Sequence, residues 1–217
     1  FAIRYPDACD RLVLLAPDRA AYGDLCQLIT RGRRSAAKGR YRLARADVAA
    51  FASRVLALWM PPRATAQDDD AMATARWFVA TFPGRAWLAV ELHAEADDAA
   101  RLEALLGLAA AAGLPPVAAG DVHMHVRARR ALQDTLTAIR LATPLAACGH
   151  ALFPNGERHL RSRARLATRY PAELLAETVA IAARCTFSLD ELRYEYPEEI
   201  VPKGETPASW LRKLVER

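Results

Sequence analysis

The chain has 217 residues, 53% of them hydrophobic and 25% charged, a balance that allows a buried core and excludes a disordered or fibrous polypeptide. The formal charge is +5 and the only lysines are Lys38, Lys203 and Lys213, so the basic excess is almost all arginine, concentrated over 31–45 and 158–169. No run of 18 apolar residues and no export signal is visible, which argues against a membrane helix and for a cytoplasmic protein; opening at Phe1, the sequence reads as cut from a longer one.

Arg11–Ala16 (RLVLLA) is a short apolar run ended by Pro17 and reads as a buried strand, after which Leu25, Cys26, Leu28 and Ile29 fall at helical spacing. Beyond a basic loop, 45–53 reads as a helix and 54–59 (RVLALW) as a second strand halted by Pro61 and Pro62. Asp68, Asp69 and Asp70 sit where carboxylates complement the positive end of a helix, opening an amphipathic stretch to Phe82. Residues 86–92 (AWLAVEL) form the third expected strand. Asp97 and Asp98 open a helix that ends at Gly113, and 116–119 enter a fourth strand. Strands separated by helices of this length imply parallel pairing through right-handed crossovers, hence an α/β barrel or a doubly wound sheet. Helices take over afterwards, at 132–140, 162–169 and 172–185, followed by a connector over 194–207 and a last helix from Ser209. A domain boundary is expected near Leu189, separating 1–189 from a connector over 190–217. Cys9, Cys26, Cys148 and Cys185 lack CxxC spacing and read as reduced thiols.

The one dense group of chemistry-bearing residues is Gly120-Asp121-Val122-His123-Met124-His125, directly after the fourth strand. In an extended chain Asp121, His123 and His125 share a face at a strand's C-terminal end, where α/β folds build their sites. A carboxylate with two imidazoles suits Zn²⁺ or Mn²⁺. Glu91 and His93 end the third strand on one face and could join the same cavity. Against this stands the reading of hydrogen-bonded surface imidazoles, because Asp-x-His is a short pattern. Nucleotide cradles, nucleophile elbows and the HExxH zinc helix are absent from the sequence. The arginine clusters either line a nucleic-acid backbone or form a solvated basic face.

Three long stretches carry a resemblance: RLVLLAPDRAAYGDLCQLITRGRR over 11–34, GLPPVAAGDVHMHVRARRALQDTLTAIR over 113–140, and HALFPNGERHLRSRARLATRYP over 150–171. Together they resemble the amino-terminal PHP (polymerase and histidinol phosphatase) domain of bacterial family C DNA polymerases. ALFPNGERHLRS and the closing LRYEYPEEIVPKGETPASWL are most similar to the error-prone, damage-inducible branch. The resemblance covers essentially the whole chain.

It implies an incomplete PHP-type β/α barrel, amino-terminally truncated, followed by a helical segment and the start of the polymerase catalytic region. It also implies a parent enzyme, a DNA-directed nucleotidyltransferase, that copies DNA across lesions. By position Asp121 and His123 match the last metal-binding motif of such domains, while His125, Glu91 and His93 are weaker candidates. The paired histidines that begin the metal site would fall before Phe1, and Met60-Pro61 stands where active relatives place a cysteine ligand. The site is therefore expected to be vestigial, with no cofactor in the fragment, Zn or Mn as the alternative, and Mg serving the parent's own carboxylates beyond Arg217. Arg158, Arg161, Arg163 and Arg165 are expected to face DNA phosphates. The implied partners are primer–template DNA and other mutagenesis and replication proteins. Two further functions remain open from sequence: a metal-dependent phosphoesterase or 3′-5′ exonuclease, and a protein-interaction platform without chemistry.

Overall fold

A computed structural model describes residues 2–4, 11–51, 53–61, 65, 67–193 and 201–216, of which 2–4 are described by backbone alone. Contacts divide the chain into Phe1–Phe187 and Ser188–Arg217. The first unit holds a sheet of β1 (Ala2–Arg4), β2 (Arg11–Leu15), β3 (Leu56–Met60), β4 (Ala86–Glu91) and β5 (Pro116–Ala119), lying in that order. Among the described residues the sheet is open, with β1 and β5 at its edges.

The sheet is mixed, and here the sequence expectation of all-parallel strands is corrected. β3, β4 and β5 are parallel, whereas β1, β2 and β3 pair antiparallel, Leu15 facing Leu56 and Arg11 facing Met60. The parity of the helices explains it. One helix returns the chain to the end where a strand began, so α3 (Asp69–Thr81) and α4 (Asp98–Ala112) each precede a parallel strand. Two helices, α1 (Arg19–Arg34) and α2 (Arg45–Phe51), lie between β2 and β3 and bring the chain back to the end where β2 stopped.

Helix ends follow local chemistry. The Asp18 carboxylate accepts from Ala21 N at 2.7 Å to start α1, and Asp68 accepts from Asp70 N and Ala71 N to start α3. Gly113 ends α4 at φ 68°, a left-handed conformation that favours glycine.

Strand alternation sorts the core into two clusters. Leu12, Leu14, Trp59, Leu88 and Val90 pack with Leu28, Phe78, Phe82 and Leu108 of the helices. The opposite face presents Leu56, Trp87, Ala89 and Val117 to Ile181 of α7 (Ala172–Arg184). Trp87 Nε1 donates to Glu177 at 2.6 Å, tying the middle of α7 to β4, and just past its C-terminal end Thr186 N donates to Pro17 O at 3.0 Å, in the loop after β2. Between α4 and α7, β5 is followed by α5 (Arg130–Leu141) and the five-residue α6 (Arg163–Ala167). Cys26, Cys148 and Cys185 are free thiols; Cys9 lies outside the described residues.

In the second unit, Ser188 and Glu191 form a reciprocal cap on a single turn, and α8 (Pro207–Val215) starts at Thr206. Of the expected connector, 194–200 lie outside the described residues. No helix among the described residues is long and apolar enough to cross a membrane.

Candidate functional site

The antiparallel setting of β2 has a direct consequence for the strand ends. Arg11, the first residue of β2, lies at the same end of the sheet as the last residues of β3 and β4 and the exit of β5. Its guanidinium contacts Glu91 and reaches Asp121 Oδ1 at 2.7 Å. Arg158 contacts the other oxygen of Asp121 and lies 4.4 Å above the Phe153 ring. His123 Nε2 stands 3.3 Å from Asp121 Oδ1, its ring 4.9 Å from Phe153. Four charged side chains from β2, β4, the β5 exit and a distant loop thus meet at one point.

Backbone geometry separates the three residues that an extended chain would align. Asp121 has a left-handed φ of 40°; Asp121 and His123 come together, while His125 is exposed beyond the buried Met124. His93 is buried, and its Nε2 lies 3.2 Å from Gly120 O. A carbonyl oxygen only accepts, so this nitrogen carries the proton.

The loop bearing Arg158 is fixed along the strand exit: His123 N and Met124 N both donate to Arg158 O, and Leu160 N donates to Met124 O. Asn155 Nδ2 donates to His93 O at 2.7 Å. Arg161 turns inward with 2% of its side chain exposed, donating to Leu92 O at 2.9 Å and to Glu157 O. Tyr170 closes the arrangement, its hydroxyl donating to Ala119 O at 2.8 Å and accepting from Leu92 N at 3.0 Å. Behind this loop the carboxylate of Glu157, 3% exposed, sits among four guanidiniums, those of Arg169 at 3.2 Å, Arg127 at 3.5 Å, and Arg161 and Arg165 at 3.8 Å.

The electrostatics follow from burial and these neighbours. Burial raises the Glu91 carboxyl above its ordinary value, with Arg11 opposing. Burial also disfavours the Asp121 carboxylate, but Arg11, Arg158 and His123 outweigh it and hold the group below the usual carboxylate range. Burial, helped by the Arg158 charge, pushes His93 down to about 4, leaving it neutral near pH 7.

A bound Zn²⁺ or Mn²⁺ needs several converging donors, and this donor set does not fit one. Both Asp121 oxygens face guanidinium groups, as does Glu91 Oε2, and His93 Nε2 is protonated. The single orphan acceptor in the cluster is Glu91 Oε1. Met60 ends β3 with its thioether side chain beside the same pocket. Among the described residues no group of three or more His, Cys, Asp or Glu could hold an ion.

Of the four arginines expected at phosphates, Arg158 and Arg161 are engaged inside the fold, whereas Arg163 and Arg165 are exposed on α6. Sequence reasoning missed Arg11, whose role needed the antiparallel strand, and Glu157. The spacing of four that links Glu157, Arg161, Arg165 and Arg169 was the available signal for the latter.

Fold and site together define an α/β domain with an open mixed sheet whose strand ends are neutralised by its own side chains. No protein-family model matches the chain. Over 95% of its length it is homologous to error-prone DNA polymerases: 61% identical over 207 residues to that of Aromatoleum aromaticum, 56% over 212 to that of Dechloromonas aromatica and 55% over 207 to that of Pseudomonas aeruginosa. The chain spans about a fifth of the length of these curated relatives.

Proposed function

We propose that these residues are the amino-terminal module of a bacterial error-prone DNA polymerase, an enzyme that extends primers on damaged templates. The observation that carries this reading is the identity to polymerases of that name, which runs through nearly the whole chain. The module is an incomplete PHP-type barrel: the parallel β3–β5 with their outer helices supply the β/α units, and 190–217 lead into the catalytic region. Polymerisation, with its Mg²⁺, belongs to the rest of the parent chain, and this part serves as a scaffold beside the primer–template.

Arg163 and Arg165 are the residues on this surface suited to DNA phosphates, because both side chains face solvent and a guanidinium fork matches phosphate oxygens. A cleft of about 920 Å³ flanked by Arg140, His150 and Phe153 lies at the same end of the sheet as Arg11 and Asp121.

Replacing the matching fifth of the Pseudomonas aeruginosa enzyme by this chain tests the reading. Lesion bypass by the chimaera at a rate within about tenfold of the parent is the expected result. A soluble, folded chimaera without synthesis would refute it.

A further inference from the structure

We propose that Arg11 and Arg158 take the place of cations at the strand ends, making a metal-independent clasp that ties β2, β4, the β5 exit and the 153–161 loop together. The inference goes beyond the polymerase assignment and rests on the geometry of this chain alone.

Glu91 and Asp121 project from adjacent parallel strand ends into one buried place, and two uncompensated carboxylates there would repel and resist burial. An inorganic cation is one solution, drawing its ligands from the carboxylates and from His93 or His123. The fold adopts the other. Arg11 bridges both carboxylates, one nitrogen of its fork on each, and Arg158 takes the remaining oxygen of Asp121. Two positive charges answer two negative ones, so the cluster is neutral without an ion. His93, uncharged, spends its Nε2 proton on Gly120 O.

The guanidinium groups are also held in place. Arg158 rests on Phe153, and its backbone carbonyl accepts from His123 N and Met124 N. Arg11 is fixed by its position in the β2–β3 ladder opposite Met60. A planar fork with two parallel donors suits a site that joins carboxylates from different strands, which a lysine ammonium would match poorly. The clasp supplies connections that the mixed sheet otherwise lacks: β2 and β4 are not neighbours, and Arg11 spans the end of β3 to link them.

The test uses the full natural polypeptide that carries these residues, so its metal content is read as a difference. Wild type and the near-isosteric variant Glu91→Gln with Asp121→Asn are purified without chelator, and Zn and Mn are counted by mass spectrometry. Equal contents, together with a wild-type melting temperature for this module unmoved by excess EDTA, are expected. One or more equivalents of metal lost in the variant, or a chelator-induced fall in melting temperature that the variant does not share, would overturn the proposal.

Arg11→Ala in the same polypeptide gives the converse. It should melt below wild type, and Mn²⁺ or Zn²⁺ at millimolar concentration should recover part of the loss, but not when Asp121→Asn is added. Should Arg11→Ala fail to fold, Arg11→Lys is expected to fold and still to melt below wild type. An Arg11→Ala or Arg11→Lys variant as stable as wild type would likewise overturn the clasp.

Discussion

Tyr170→Phe removes a single oxygen from the middle of the strand-end assembly and leaves the ring in place. Tyr170 is 4% exposed, and its hydroxyl joins the Leu92 amide to the Ala119 carbonyl, at 3.0 and 2.8 Å, across the ends of β4 and β5. Without it the Leu92 amide stays buried and the half-buried Ala119 carbonyl loses its donor, with no substitute in the ring. An orphaned buried donor or acceptor costs about 1–3 kcal/mol each, less where water reaches it. The expected total is about 2–4 kcal/mol, since the ring keeps its apolar contacts and no cavity larger than one oxygen opens. Equilibrium urea unfolding should show the midpoint falling with the slope unchanged. Hydrogen exchange should show the Leu92 amide losing protection while amides in the middle of β4 keep theirs relative to the new global stability. A loss below about 0.5 kcal/mol, or an unchanged Leu92 amide, would refute the role given to this hydroxyl.

Further expectations follow from the same geometry. Glu157→Gln removes the one buried negative charge among four guanidiniums, and breaking a buried pair of this kind costs about 3–5 kcal/mol; the half-exposed Arg127 and Arg165 reach solvent and place the value at the lower end, so a thermal or urea measurement showing no loss would contradict the hub. Stability should also fall on the acid side. His93 titrates at about 4 in the fold against an ordinary value of 6.5, so the unfolded chain binds the extra proton and stability declines from about pH 6.5 toward pH 4. Asp121, held below its unfolded value, adds a loss that deepens as pH falls through its folded one. His93→Gln should flatten the upper part of that decline, and an unflattened profile would remove His93 as its source. In the parent polymerase, Arg163→Ala with Arg165→Ala should weaken DNA binding and lower the slope of log affinity against log salt by roughly one per arginine. An unchanged slope would take both residues away from the DNA.

Most of the elements are legible in the sequence because their boundaries rest on local chemistry: Asp18 and Asp68 as caps, Gly113 as a stop, and apolar runs of strand length at 11–15, 56–60 and 86–91. The direction of β2 is not, since it depends on how many helices fill a connection and not on any residue pattern. That single reversal carries Arg11 from the far end of the sheet into the site. The pairing of Asp121 with His123 follows the motif, while the outward position of His125 does not follow from a spacing that would align all three. Arg158 and Arg161 look like surface cations in a basic run. Arg158 turns inward onto Asp121 and Phe153, and Arg161 onto Glu157, one carboxylate whose burial collects arginines from both sides of the loop.

The strand-end chemistry is tested most directly by crystals of the parent polymerase grown in millimolar Mn²⁺, with diffraction measured at the manganese edge. The expected map has the Arg11 and Arg158 guanidiniums seated on Glu91 and Asp121 and no anomalous peak within about 4 Å of either carboxylate, well beyond any metal–oxygen bond. A peak bridging Glu91 and Asp121, with the two arginines swung away, would contradict it.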